Sequence, residues 1–198
     1  MKKETNDLQI NELRKINKTD SEYIKGLSGI LEKNKMLTHD ESLAVQKSFI
    51  DSDHDLFDDF LIEEGIVQES DLLKALGQYY NIAPFDVTGY FFDHELITKF
   101  PKGFLLREGI IPVEVDNDIM SVVASDPDKE GLESMIKEYA SYDVVFMVGI
   151  RRDICDAVKE FFDKSVSEVD YDEDLRQERQ LESEAEYIED GGKPIIED

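Results

Sequence analysis

The chain has 198 residues, with 47 acidic against 22 basic side chains and a formal net charge of −25. Such acidity argues against nucleic acid or anionic lipid as a partner, since both need clustered Lys and Arg to displace counterions, and no basic stripe is present. Apolar residues make up 40%, enough for a core, yet no run approaches the roughly 20 apolar residues of a membrane span.

The N-terminus, Met1-Lys2-Lys3-Glu4-Thr5, lacks the apolar stretch of a signal peptide, so a cytoplasmic chain without direct membrane insertion is expected. Its single cysteine, Cys155, admits no internal disulfide and fits a reducing compartment. Residues 1–22 read as a polar segment in which Leu8, Ile10, Leu13 and Ile16 suggest a weak amphipathic helix. From 23 to 81 the periodicity is helical throughout. Ile24, Leu27 and Leu31 form one stripe. Thr38 with Glu41 three residues on predicts a capping box, followed by Leu43, Val45 and Phe49. Phe57, Phe60 and Leu61 form the next stripe, which stops at Gly65, a residue suited to the left-handed position after a helix. Ser70-Asp71 are expected to open a helix carrying Leu72, Leu73, Leu76 and Tyr80.

Pro84 then breaks the helical pattern and the chain becomes extended. Short helices are expected near His94–Lys99 and Lys102–Arg107. A hairpin follows, with strand formers Val113, Val115, Met120, Val122 and Val123 on either side of Asp116-Asn117-Asp118. Asp126-Pro127 ends the second strand and is expected to start a helix from about Asp128 to Tyr139. Val144 to Val148 read as a third strand and Arg151 to Phe162 as a last amphipathic helix. The fold class is therefore α+β. A helical unit (23–81) precedes a three-stranded sheet with helices on one face (82–164). An acidic tail (165–198), too poor in apolar residues to form a core, ends the chain.

No catalytic constellation is legible. His39, His54 and His94 each sit beside a carboxylate, and no pair has the i, i+4 spacing of metal ligands on one helix face. Phosphate-loop and dinucleotide fingerprints are absent. The acid run from Asp51 to Asp59 resembles the start of a calcium loop. Counting from Asp51, however, Leu56 and Ile62 stand where such a loop needs Gly and Glu. No enzyme activity, metal or obligatory cofactor is expected.

The segments "GLSGILEKNKMLTHDESLAVQKSF" (Gly26 to Phe49) and "LFDDFLIEEGIVQESDLLKALGQY" (Leu56 to Tyr79) align as a tandem helix-turn-helix repeat of 24 residues each. That repeat precedes Ala83-Pro84-Phe85-Asp86-Val87, Phe100-Pro101, Ile111-Pro112-Val113, Asp126-Pro127 and Phe161-Phe162. In this order the motifs resemble the N-terminal domain of the type II secretion and type IV pilus assembly ATPases.

The resemblance implies a regulatory or adaptor domain. Its partner would be a protein of the secretion or pilus machine, either the ATPase or an inner-membrane platform protein, which would bring it to the inner membrane. Candidate partner contacts are Phe91, Phe92, Phe104, Arg151 and Arg152. In one branch of the family each repeat binds half of a cyclic di-GMP, through a pattern that starts Arg-Leu-Gly and ends in Gln. By that resemblance the nucleotide would pack on Leu27, Leu31, Met36, Leu37, Phe57, Leu61, Ile62, Gly65, Ile66 and Val67. The Arg positions hold Gly26 and Leu56, the Gly positions Ser28 and Asp58, and the closing Gln positions Phe49 and Tyr79. The family's ATPase core has no counterpart here, and "GGKPIIED" resembles the acidic linker before it. Both a free-standing domain and the N-terminal part of a longer ATPase fit.

Overall fold

A computed structural model describes residues 21–163. The helix expected at Leu8–Ile16 and the tail from 165 onward lie outside these residues.

Four helices come first: α1 (Ser21–Lys33), α2 (His39–Ile50), α3 (Phe57–Glu63) and α4 (Glu69–Tyr80). The tandem repeat is reproduced bond for bond in their backbone. Met36 N–H donates to the Leu31 carbonyl at 2.9 Å, and Ile66 N–H to the Leu61 carbonyl at 2.9 Å. Lys35 N–H reaches the Glu32 carbonyl at 2.9 Å, and Gly65 N–H the Ile62 carbonyl at 2.9 Å. Both turns pass through the left-handed region, Lys35 at φ 60° and Gly65 at φ 64°. Glycine adopts this conformation freely, whereas lysine does so only under strain.

Thr38 caps α2 with the full capping box expected from its spacing to Glu41. Gln68, at the equivalent position before α4, makes no side-chain cap bond, and α4 starts at Glu69, just ahead of the expected Ser70-Asp71. Leu27, Leu31, Phe57, Leu61, Leu72 and Leu76 are wholly buried. The Phe49 ring meets Phe57 at 5.2 Å and Phe60 at 5.5 Å, closing the core between repeats.

Asn81 ends α4 at φ 54° and the chain turns extended. The extended segment expected from Pro84 forms a parallel bridge between Pro84 and Val148. Phe85 N–H donates to the Val148 carbonyl at 2.8 Å, and Val148 N–H to the Ala83 carbonyl at 3.0 Å. Two short helices follow, α5 (His94–Ile97) and α6 (Lys102–Glu108).

The hairpin comprises β1 (Ile110–Asp116) and β2 (Ile119–Ala124). It turns at Asn117 and Asp118, both at positive φ, as a tight two-residue turn requires. After α7 (Leu132–Lys137), β3 (Asp143–Val148) returns parallel to β2, giving the order β1-β2-β3. Helix α7 starts later than the expected Asp128, because residues 127–131 turn before Gly131 enters it at φ 75°.

Residues 151–158 form α8, the last element of one compact unit. Residues 159–163, also helical, belong to a second unit, in which Phe161 and Phe162 meet edge to face at 5.3 Å. Within the first unit, Val148 and Ile150 from the end of β3 are buried in the same cluster as the helical repeats. The repeats are thus packed on the sheet edge.

Candidate functional site

The repeat turns were expected to face a nucleotide. Leu27, Leu31, Phe57 and Leu61 are instead wholly buried, and Leu37 and Val67 nearly so. Met36, Ile62 and Ile66 are half-buried, and only Gly65 is exposed. The first Arg position and both Gly positions of the resemblance are closed as well, while Leu56 at the second Arg position is half-buried. A Cβ on Gly26 would lie 2.7 Å from Tyr79 Cε2, so no longer side chain fits there unless the ring moves. Ser28 and Asp58 are both wholly buried.

The Tyr23 hydroxyl donates to Asp58 Oδ1 at 2.5 Å and so ties α1 to the first turn of α3. Burial, reinforced by the Asp58 carboxylate, pushes the Tyr23 phenol well above its ordinary pKa. Tyr79 sits edge-on to Tyr23 at 5.1 Å and to Tyr80 at 5.0 Å. Burial, then the charges of Asp126 and Asp58, raise Tyr80 too. Two glutamines lie near the closing positions held by Phe49 and Tyr79: Gln78 accepts from Asn34 Nδ2 at 3.2 Å across the two repeats, and Gln46 Nε2 donates to Ser42 Oγ at 3.3 Å. The cleft between the repeats is therefore a tyrosine and carboxylate lattice that holds helices together.

The partner-contact candidates separate into two groups. Phe91 is 95% exposed. Its loop is braced by edge-to-face contacts, Phe85 on Tyr90 at 5.3 Å and Tyr90 on half-buried Phe92 at 5.0 Å. Asp86 accepts from Thr88 N–H at 2.9 Å and Asp93 caps α5, so both flanks of the loop are fixed.

Phe104, by contrast, is a core residue. It is 3% exposed, with ring contacts to Phe100 at 6.2 Å and Tyr139 at 4.7 Å. The arginines are also committed within the fold. Arg151 Nη2 donates to the carbonyls of Leu106 and Arg107, both at 3.3 Å, and Nη1 to Ser125 Oγ at 3.4 Å. It thereby satisfies the open C-terminus of α6, next to the left-handed Gly109. Arg152 bonds Glu69 at the start of α4 and Asp153 at 3.2 Å.

Sequence reasoning missed two buried charges. Asp58 reads as part of an exposed acid run, yet its side chain points inward to Tyr23. Glu108 is 3% exposed and pairs with Arg107 at 2.9 Å and with Lys129. Neither has a local signal, because the Tyr23 and Lys129 partners are distant in sequence.

His39 Nδ1 meets Glu32 at 3.2 Å and His54 Nε2 meets Glu63 at 3.1 Å, ion-pair geometry of exposed or half-exposed groups. Asp51 is the C-cap of α2. Among the described residues no group of three His, Cys, Asp or Glu side chains is placed to hold a metal ion. Within the same residues no helix is long and apolar enough to cross a membrane.

Residues 80–168 match the MshEN domain family. The fold is similar to a solved structure of MshE with cdg, at a TM-score of 0.55 and 17% identity over 68% of this chain and 97% of that one. It is also similar to the N-terminal domain of XpsE, at a TM-score of 0.50 and 15% identity over 68% of this chain and 92% of that one. Comparison with curated protein sequences gives no match. The chain is thus similar to the N-terminal domains of the secretion and pilus ATPases, as its motifs led us to expect. The family match falls on the sheet-bearing half, whereas the repeats precede it.

Proposed function

We propose that the chain is a non-catalytic adaptor or regulatory domain of a type II secretion or type IV pilus ATPase system. It acts on the cytoplasmic side by binding a protein partner, either the ATPase or an inner-membrane platform protein. The observation that carries this reading is Phe91, an aromatic side chain 95% exposed on a loop whose base is rigid. A large ring held out by a braced loop loses little entropy on docking, which is what makes aromatic anchors energetic centres of interfaces. Asp86 and Asp93 flank it with exposed carboxylates and suit a basic rim on the partner.

The test is capture of the ATPase and of the platform protein by the chain and by Phe91→Ser. The variant is expected to bind at least about tenfold more weakly with an unchanged melting temperature. Undiminished capture would remove Phe91 from the interface.

A second reading, a cyclic di-GMP sensor, is favoured by the likeness to MshE with cdg. In this chain the closed Gly26 position, the buried Asp58 and the absent arginines oppose a bis-anionic ligand. Calorimetric titration is expected to show no binding heat at micromolar protein. A micromolar or tighter Kd would restore the sensor reading.

A further inference from the structure

The register of the sheet sorts its side chains into two faces. Met120, Val122 and Ala124 in the central strand are buried on one face. On the other, Val123 is buried where α8 crosses. A Cβ on Gly149 there would meet Val123 Cγ1 at 2.5 Å and Ile154 Cδ1 at 3.0 Å. Toward the hairpin this second face is open: Glu114, Asp116, Ile119, Asp143 and Val145 are exposed and Ser121 half-buried. Asp116 pairs with Ile119 and Ile119 with Asp143; Glu114 pairs with Ser121 and Ser121 with Val145. Residues paired in register share a face, so these six form one patch. Ile119 is 45% exposed and Val145 52%. Of the aliphatics in the sheet these two are the most exposed, ahead of Val115 on the opposite face at 38%.

Three carboxylates frame the two aliphatics. Lys137 balances Asp143 at 3.3 Å. Glu114 and Asp116 are exposed and have no cation beside them among the described residues.

We infer that this patch is a docking surface for a basic amphipathic segment of a protein partner. The segment's aliphatic side chains seat on Ile119 and Val145, and its lysines or arginines pair with Glu114 and Asp116. Charge complementarity selects this occupant. The chain from 165 onward is itself acidic, as is a second copy of the whole chain, so both would set like charges against the patch. The proposal concerns a surface separate from the Phe91 loop, and the experiment keeps the two apart.

The probe is a short synthetic helix of leucine and lysine, with a leucine–glutamate helix of the same pattern as control. Binding to the full chain is measured by fluorescence anisotropy. Glu114→Lys with Asp116→Lys, and separately Ile119→Ser with Val145→Ser, are each expected to weaken lysine-peptide binding about tenfold. Thermal melting checks that both pairs remain folded. Phe91→Ser is expected to leave this binding unchanged. So is Asp51→Lys with Glu64→Lys, a reversal of two exposed acids in the helical unit. Equal loss with that control pair would reduce the interaction to diffuse attraction by net charge and overturn the proposal. Removal of residues 1–20 is expected to have no effect. Tighter peptide binding after removal would assign the patch to the chain's own N-terminal segment and overturn the partner reading.

Discussion

The two repeat turns make a controlled comparison of one backbone conformation in two residues. Lys35 and Gly65 have φ 60° and φ 64° and donate equivalent hydrogen bonds. Lys35 is exposed, so its side chain contributes little packing. Holding a non-glycine residue in the left-handed region costs roughly 1–2 kcal/mol. Glycine brings extra freedom to the unfolded chain worth about 0.5–1 kcal/mol. Lys35→Gly should therefore stabilise by about 0.5–1 kcal/mol, or about 2 °C in Tm for a chain of this size. A Cβ at Gly65 meets nothing within 4 Å, so Gly65→Ala incurs only the backbone penalty. It should destabilise by a similar amount, about 0.5–1 kcal/mol. Because the turns lie in different repeats, the double variant should return close to the parent. Urea unfolding at constant m-value measures all three. Loss of stability in Lys35→Gly would refute the argument, since it would mean the lysine side chain, rather than the backbone, governs that turn.

Tyr23→Phe removes the hydroxyl that serves buried Asp58 and should cost about 2 kcal/mol in urea unfolding, the range for a hydrogen bond to a charged group; an unchanged midpoint would mean the pair does not join α1 to α3. Gly109→Ala places a Cβ 2.5 Å from Ser125 Oγ and against the Arg151 guanidinium at φ 64°, so a loss of more than about 2 kcal/mol is expected by thermal melting. The Glu41 pKa is lowered, first by the Thr38 backbone N–H and then by its hydroxyl. A depressed carboxylate pKa contributes stability that is present above the unfolded value and lost as pH falls through the folded one. Thr38→Ala, which keeps the backbone N–H, should destabilise at neutral pH and flatten the acid limb of the stability curve only in part, whereas Glu41→Gln removes the titrating group of the box; an acid limb in Glu41→Gln parallel to the parent's would exclude the capping box as its source.

The parts of the fold legible in the sequence are those whose causes are local. The Thr38–Glu41 box, the glycine stop at Gly65, the Asn117-Asp118 turn and the apolar run of β3 each carry their reason within a few residues. The start of α7 differs from the expected Asp128 because Asp126-Pro127 resembles a helix opening. Gly131, which sets the actual start, is a weaker signal than proline. Contact roles were less legible. Arg151 stands out as a rare cation, yet its acceptors are 26 to 45 residues away and only the folded chain brings them together. Phe104 and Phe91 are the same residue type in opposite environments: one lies in a helix that packs on β1, the other on a loop. The repeat pattern made the core residues legible but could not distinguish packing from ligand contact, because both require the same leucines.

The shared burial of Val148 and Ile150 with the repeats bears on how this protein is divided for study or by evolution. Similarity places an edge at residue 80, at the end of α4. A piece cut there would present the side chains of Val148 and Ile150, now buried with the repeats, to water. What is inherited as a segment is thus smaller than what must fold as one. The repeats are the sheet's built-in shield, and exchanging them among relatives would require matching those side chains as closely as any binding surface.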